Sequence, residues 1–198
     1  SQPLPKGNRL AIVTNAGGPG IMAADAAELL GLRLLPPDDA TREKLRAVLP
    51  PTAATGNPID VIGDAEPDRY IKTLELIQDD EKIDGILVVV TPQNMTAPLE
   101  LAKQLHATHN KKKPLLTAFM GGKEVAEAKD YLMQAGIPNY PSPTRAVAAF
   151  KAMSDYAAWR ARPPRVVTRF PVTRRRVERV IQWQPRSDIQ QVGEVEAK

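Results

Sequence analysis

Apolar residues fall along this chain in two kinds of run. Residues 10–13 and 85–90 are short and continuously apolar, and 115–119 is apolar but for Thr117, as expected of strands buried on both faces of a parallel sheet. Between them, apolar positions recur at helical spacing. Met22, Ala26, Leu29 and Leu30 mark a first helix. Asp39 is placed to cap a second that runs through Leu49. Tyr70, Leu74 and Ile77 form a stripe within 67–79. Thr96 is placed to cap a helix carrying Leu101 and Leu105. Val125, Ala128 and Leu132 mark the next helix. Ser142, followed by Pro143, opens a last helix with Phe150, Met153 and Ala157 as its core stripe. Residues 33–35 and 137–140 read as two further short strands. Asn57-Pro-Ile-Asp-Val-Ile62 reads as extended, because Pro58 keeps its predecessor out of the helical region. The alternation of strand and helix with short loops predicts a doubly wound α/β fold. The expected form is a flavodoxin-like parallel sheet with helices on both faces. Ligands in such sheets sit beyond the carboxyl ends of the strands. The loops expected there are 15–20, 62–64, 91–96 and 120–124.

Composition narrows the setting. The 198 residues are 42% hydrophobic and 25% charged, which is globular, and contain no cysteine, which excludes disulfides and thiol chemistry. No apolar run approaches a membrane span and no secretory signal opens the sequence, so a cytoplasmic location and no membrane partner are expected. The net charge of +4 is unevenly spread. Residues 160–198 hold nine arginines and one lysine against four acidic residues, whereas 1–159 are slightly acidic. Few aromatics interleave with the tail's charges, so a solvated linker is expected there and no nucleic-acid partner. This divides the chain into a folded domain, 1–160, and a basic, Pro-containing segment, 161–198. The sequence enters its first strand within ten residues of Ser1, so an excised domain is expected.

The chemistry concentrates in Thr14-Asn-Ala-Gly-Gly-Pro-Gly-Ile-Met22. A buried strand that ends in a glycine turn and opens a helix directs backbone N–H groups and the positive end of the helix dipole at one point. That is a device for holding a phosphate or other anion. Met120-Gly-Gly-Lys-Glu124 is a second glycine-bearing turn, at which glycine alone can explain the bend. Neither turn ends in the Gly-Lys-Ser/Thr of a nucleotide-binding P-loop. Gly18-Pro-Gly20-Ile-Met-Ala23 fits the loose dinucleotide fingerprint, but Pro36-Pro37 aims the candidate ribose ligand Asp38 poorly. A flavin site lacks the expected aromatics, and a phosphoacceptor lacks its acidic residues. His106 and His109 lack a third metal ligand and suit the end of a helix. No nucleophile–base pair is visible, so the reactive group is expected to arrive from elsewhere.

Arg9-Leu-Ala-Ile-Val-Thr-Asn-Ala-Gly-Gly-Pro-Gly-Ile-Met-Ala-Ala-Asp25, Asn57-Pro-Ile-Asp-Val61 and Asp84-Gly-Ile-Leu-Val-Val-Val-Thr-Pro92 together resemble the NDP-forming acyl-CoA synthetases. Within that family, ADP-forming acetate–CoA ligases, relatives of succinyl-CoA synthetase, are the nearest in pattern. The resemblance covers about residues 5 to 160. It implies a CoA-ligase domain of an enzyme that converts acyl-CoA, ADP and phosphate reversibly to acid, ATP and CoA. It also implies a phosphohistidine, carried in a Ser-His-Thr context of a preceding domain, that docks against helix N-termini. The implied binding groups are the amides of Gly17, Gly18, Gly20 and Ile21, with the Asn15 side chain as a further donor. Asp60, Gly121 and Gly122 would line the same cavity. The fragment itself would need no cofactor and be inactive alone. CoA, ATP or ADP and Mg belong to the whole enzyme. The implied partners are its CoA-binding, phosphohistidine and ATP-grasp domains or subunits, and a homo-oligomer is expected. Residues 161–198 would lead into the ATP-grasp domain. The alternative within the resemblance is a non-catalytic, acyl-CoA-responsive domain of a protein lysine acetyltransferase; a dinucleotide-binding module is a third reading.

Overall fold

Four parallel strands form the centre of the molecule. The computed structural model describes residues 2–93 and 95–163 together with Glu178, so the linker expected over 161–198 lies almost wholly outside the described residues. The strands are β1 (Leu10–Thr14), β2 (Ile59–Asp60), β3 (Gly85–Val90) and β4 (Leu115–Phe119), in the order β2-β1-β3-β4. The helices are α1 (Gly17–Leu29), α2 (Asp39–Val48), α3 (Pro67–Ile77), α4 (Pro98–Thr108), α5 (Ala126–Gln134), preceded by a 3-10 turn at Lys123–Val125, and α6 (Pro143–Arg160). Every residue of β1, β3 and β4 is buried, which is why these strands are apolar but for Thr14 and Thr117. This is the flavodoxin-like arrangement expected. Among the described residues no helix is long and apolar enough to cross a membrane.

The two faces of the sheet have separate cores. Leu10, Ile12, Leu87, Val89, Leu116 and Ala118 pack under α1 and α6, with Phe150 of α6 against Gly85. Ala11, Val13, Ile86, Val88, Val90 and Phe119 face the other way, against Leu45, Tyr70, Leu74, Leu101, Leu105 and Leu132. The period of two along each strand sends neighbours to opposite cores.

Several expectations need correction. Residues 33–35 and 137–140 do not form strands. Each contributes a single bridge, Arg33 to Arg9 and Asn139 to Thr117. Asparagine side chains take over the rest of the pairing. Asn57 accepts from Ile12 N–H at 3.0 Å and donates to the carbonyls of Leu10 and Leu35 at 2.7 and 3.0 Å. Asn139 accepts from Phe119 N–H at 2.9 Å. Pro36, Pro37 and Pro138 have no N–H to donate, so these side chains complete the edges instead. Two helix caps fall one residue away from the expected position. Asp38, not Asp39, caps α2 by accepting from Thr41 N–H at 2.7 Å, which holds the Asp38 carboxyl below its usual range. Thr96 does not cap α4. Its hydroxyl accepts from Gln93 N–H, and the cap position is Ala97. Ser142 caps α6 as expected.

The face of α1 also differs. Its buried residues are Gly20, Ala23 and Ala27, not the stripe Met22, Ala26, Leu29 and Leu30. Leu29 is 87% exposed and Met22 47%. Small residues let the helix lie close on the sheet: a Cβ at Gly20 would come 2.9 Å from Thr14 Cγ2 and 3.7 Å from Pro58 Cβ. Hydrophobic periodicity misses a contact made by glycine and alanine, because their packing value is closeness, not bulk.

The amino-terminal edge of the sheet is locked electrostatically. Arg9 holds Asp84 through Nε to Oδ2 and Nη2 to Oδ1, both at 2.7 Å. Burial pushes the Asp84 carboxyl up, but the Arg9 hydrogen bonds and charge outweigh it and hold it below its usual range.

Candidate functional site

Strand β1 ends at Thr14, and α1 begins three residues later at Gly17. The connection is therefore Asn15 and Ala16 alone, and the three glycines belong to the helix. Thr14 builds the junction. Its Oγ1 accepts from Ala16 N–H at 3.0 Å and donates to Ala16 C=O at 2.9 Å. The Gly20 N–H donates to the same carbonyl at 3.1 Å, closing the first helical turn. Pro19 has no N–H. Helix geometry leaves the first amides without intrahelical acceptors, and here those are Gly17 and Gly18. Gly20 is buried with its amide engaged, and Ile21 lies beyond the first turn with its side chain 62% exposed. The donors available at this helix end thus narrow from four expected amides to two.

Gly17 and Gly18 have no conformational or packing reason to be glycine. Both are exposed and lie in regular helix, and a Cβ on either would meet nothing within 4 Å. Helix propensity disfavours glycine at about 1 kcal/mol relative to alanine in a helix interior. An approach to the backbone from outside the chain remains as the physical reason for two adjacent glycines there.

Asn15 does not point a free amide at this spot. It is buried, and its side chain clasps Thr91 at the end of β3. Nδ2 donates to Thr91 C=O at 2.8 Å, and Oδ1 accepts from Thr91 N–H at 2.9 Å and from Thr91 Oγ1 at 3.1 Å. Below it, the Tyr70 hydroxyl donates to Val89 C=O at 3.3 Å. Burial pushes the Tyr70 phenol well above its usual range, against the hydrogen bond it receives from the Asn15 backbone. Asn15 and Tyr70 therefore tie the ends of β1 and β3 together, with Tyr70 on the face of the sheet opposite α1. Sequence reasoning misses Thr14, Tyr70 and Thr91 as site residues. Only Thr14 carries a signal, as a hydroxyl two residues before a helix start.

Asp60 ends β2 and pairs in register with Thr14. Its Oδ1 accepts from Ile62 N–H at 2.8 Å. Ile62 has φ of 70°, a left-handed conformation that is rare for a β-branched residue. The turn is braced from outside: Arg69 Nη1 donates to Val61 C=O at 2.9 Å and to Asp64 Oδ1 at 2.6 Å. Asp60 itself has no cationic partner among the described residues.

The second glycine turn is built differently. Gly121 has φ of 136°, and a Cβ there would come 3.0 Å from Pro92 Cγ. Its carbonyl accepts from Lys129 Nζ at 3.0 Å. Gly122 has a negative φ, and a Cβ there would meet only Glu124 Oε2, at 3.7 Å. Strand β3 lies between β1 and β4, and the Thr91-Pro92 segment meets Asn15 on one side and Gly121 on the other.

The two histidines are occupied. His106 Nδ1 lies 3.2 Å from the Tyr131 hydroxyl, and His109 Nε2 lies 2.8 Å from Lys113 C=O. Burial lowers the His109 pKa below its usual value. No group of three or more acidic, histidine or cysteine side chains suited to a metal ion occurs among the described residues.

Residues 10–163 match the family model of the Ligase-CoA domain. The alpha subunit of acetate–CoA ligase (ADP-forming) II of Pyrococcus furiosus is 41% identical over 162 residues, covering 79% of this chain and 35% of that subunit. Acetate–CoA ligase (ADP-forming) of Methanocaldococcus jannaschii is 42% identical over 162 residues, covering 79% of this chain and 23% of that protein. The apo structure of the dinucleotide-forming acetyl-coenzyme A synthetase 1 of Ca. Korarchaeum cryptofilum superposes with a TM-score of 0.72 at 33% identity, covering 81% of this chain and 35% of that one. A second structure of that synthetase is a complex with phosphate and ADP, with the same TM-score and coverage. The chain spans about a third or less of the length of these relatives.

Proposed function

The chain belongs to the Ligase-CoA domain family, and from that premise we propose that it is the phosphoryl-docking part of an ADP-forming acyl-CoA synthetase, with acetyl-CoA as its substrate. The whole enzyme interconverts acyl-CoA, ADP and phosphate with acid, ATP and CoA. This chain holds the phosphoryl group of a phosphohistidine that other domains or subunits bring to it. The Gly17 and Gly18 amides donate to the phosphoryl oxygens, and the positive end of α1 stabilises charge that builds during transfer. Asn15 acts indirectly, by fixing the pitch of α1 through Thr91. The nucleotide, CoA and magnesium are handled outside these residues, and the reaction runs in the cytoplasm. The observation that carries the reading is the pair of exposed helical glycines whose Cβ positions face open space. The ADP-forming ligases among the relatives support it, as does the phosphate complex of the similar synthetase.

The test compares the chain alone with the chain assembled with its partner domains or subunits. Alone it should form no ATP from acetyl-CoA, ADP and phosphate. Assembled, it should support ATP formation and accumulate phosphohistidine. Gly18→Asp in the assembly should cut phosphohistidine formation while CoA binding persists. An assembly that transfers acyl groups to lysine and never forms phosphohistidine would overturn the proposal in favour of the regulatory alternative.

A further inference from the structure

Helices α1 and α6 lie together over one face of the sheet, and their outer surface is unlike that of the opposite layer. α1 carries two charged residues among thirteen, Asp25 and Glu28, whereas α2 carries five among ten. Because glycine and alanine make the buried contact of α1, its large apolar side chains are left outside. Ile21, Met22 and Leu29 are all exposed. On α6, Tyr156 and Trp159 are exposed as well, stacked with ring centroids 5.8 Å apart. Leu30 and Gly31 share a groove of about 730 Å³ with Ala157, Ala158 and Ala161 of the last turns of α6 and Pro5 of the chain before β1. A single exposed apolar residue is ordinary. A helix that is apolar around its whole circumference belongs inside a larger body. Asp25 and Glu28 have no ion-pair or hydrogen-bond partner among the described residues.

We propose that the outer face of α1 and α6 is an interface within the synthetase, covered by another of its domains or subunits through an apolar surface that sets lysine or arginine opposite Asp25 and Glu28. This rests only on the part of the reading above that makes the chain one piece of a larger enzyme. Three observations select that occupant. About two thirds of the Pyrococcus furiosus alpha subunit lies outside the stretch this chain matches, so a body to cover the face exists in such an enzyme. Gly18, Met22, Asp25 and Leu29 follow helical spacing and form one row, about 17 Å long at the rise of an α-helix. A body that approaches the open backbone at Gly18 therefore lies next on Met22. The unpaired acids argue against a second copy of this chain. In a two-fold pairing of α1 on itself, Asp25 and Glu28 of one copy would face the same acids of the other, and like charges repel across an interface. A surface with apolar residues flanked by cations satisfies both the row and its acids.

Methionine oxidation tests the face directly. Dilute hydrogen peroxide is applied to the 198-residue chain alone and to the chain assembled with the remaining domains or subunits, and mass spectrometry reads the rate at each thioether. Met22 on α1 and Met133 on α5 are both exposed, so one is the target and the other the control. Assembly should slow oxidation of Met22 about tenfold or more and leave Met133 within about twofold, since the thioether reacts only where peroxide reaches it. Leu29→Glu should weaken assembly about tenfold or more, because it presses an unpaired charge into an apolar contact. Asp25→Lys should weaken it less, and Met133→Glu should leave it unchanged. Equal protection of the two methionines, or none at Met22, overturns the proposal. So does a native chain that self-associates and protects Met22 with no other part of the enzyme present, which makes a second copy the occupant. Met22 protected in an assembly that forms no phosphohistidine upholds the interface and removes only the docking role.

Discussion

Two glycine pairs stand at the carboxyl end of this sheet, Gly17-Gly18 after β1 and Gly121-Gly122 after β4, and the structure gives Gly121 a reason that Gly17 and Gly18 lack. At Gly121 the backbone needs glycine: φ is 136° and Pro92 closes on the missing side chain at 3.0 Å. At Gly17 and Gly18 nothing in the fold needs it, since both are helical and face open space. The first pair weakens a helix without relieving any clash, which is what a site that receives a ligand against its backbone does. In the second pair, Gly121 is accounted for by the turn and by its packing on Pro92. A glycine whose absent Cβ has room around it is thus a better marker of a site than one at a strained φ.

The same substitution at both turns separates the two roles most strongly. Gly18→Asp should weaken inorganic phosphate binding by about 1 to 4 kcal/mol, the repulsion between unit charges near 4 Å in wet to partly wet surroundings. Gly122→Asp should leave phosphate affinity within about 0.5 kcal/mol. Isothermal titration of both variants checks the pair, and equal losses at the two positions would erase the distinction between them. Next in size is Gly121→Ala, expected to lower stability by about 2 kcal/mol through a strained backbone and the contact with Pro92. Urea unfolding should register that loss while phosphate affinity of the folded chain stays the same. Smallest is Gly17→Ala. It should raise stability by about 0.5 kcal/mol through helix propensity and weaken phosphate binding, so that stability and affinity move in opposite directions. A Gly17→Ala chain that gained stability with no loss of phosphate affinity would remove Gly17 from the site.

The sequence is legible where burial is total and opaque where contacts are made by small or polar side chains. Strands β1, β3 and β4 carry buried apolar residues on both faces, with Thr14 and Thr117 the exceptions, and their runs can be read directly. The edges cannot, because Asn57 and Asn139 replace strand pairing with side-chain hydrogen bonds that leave no periodic trace. The orientation of α1 is misread for a related reason: its contact with the sheet is made by Gly20, Ala23 and Ala27, while its bulky residues face outward. The anion-binding character expected of the junction after β1 is visible in its glycines. The division of labour within it is not. Asn15 reads from sequence as a ligand donor, but Thr91, 76 residues away in the chain, takes both ends of its amide. Only the parallel pairing of β1 with β3 brings these two residues together.

The most direct test of the central claim follows the backbone amides of the 15N-labelled chain by NMR as inorganic phosphate is added. The Gly17 and Gly18 amides are expected to shift most, and saturably. Gly20, with its N–H held by Ala16 C=O, should shift less, and Gly121 and Gly122 should stay in place. Saturable shifts centred on Gly121 and Gly122, or no saturable shift at Gly17 and Gly18, would contradict the claim.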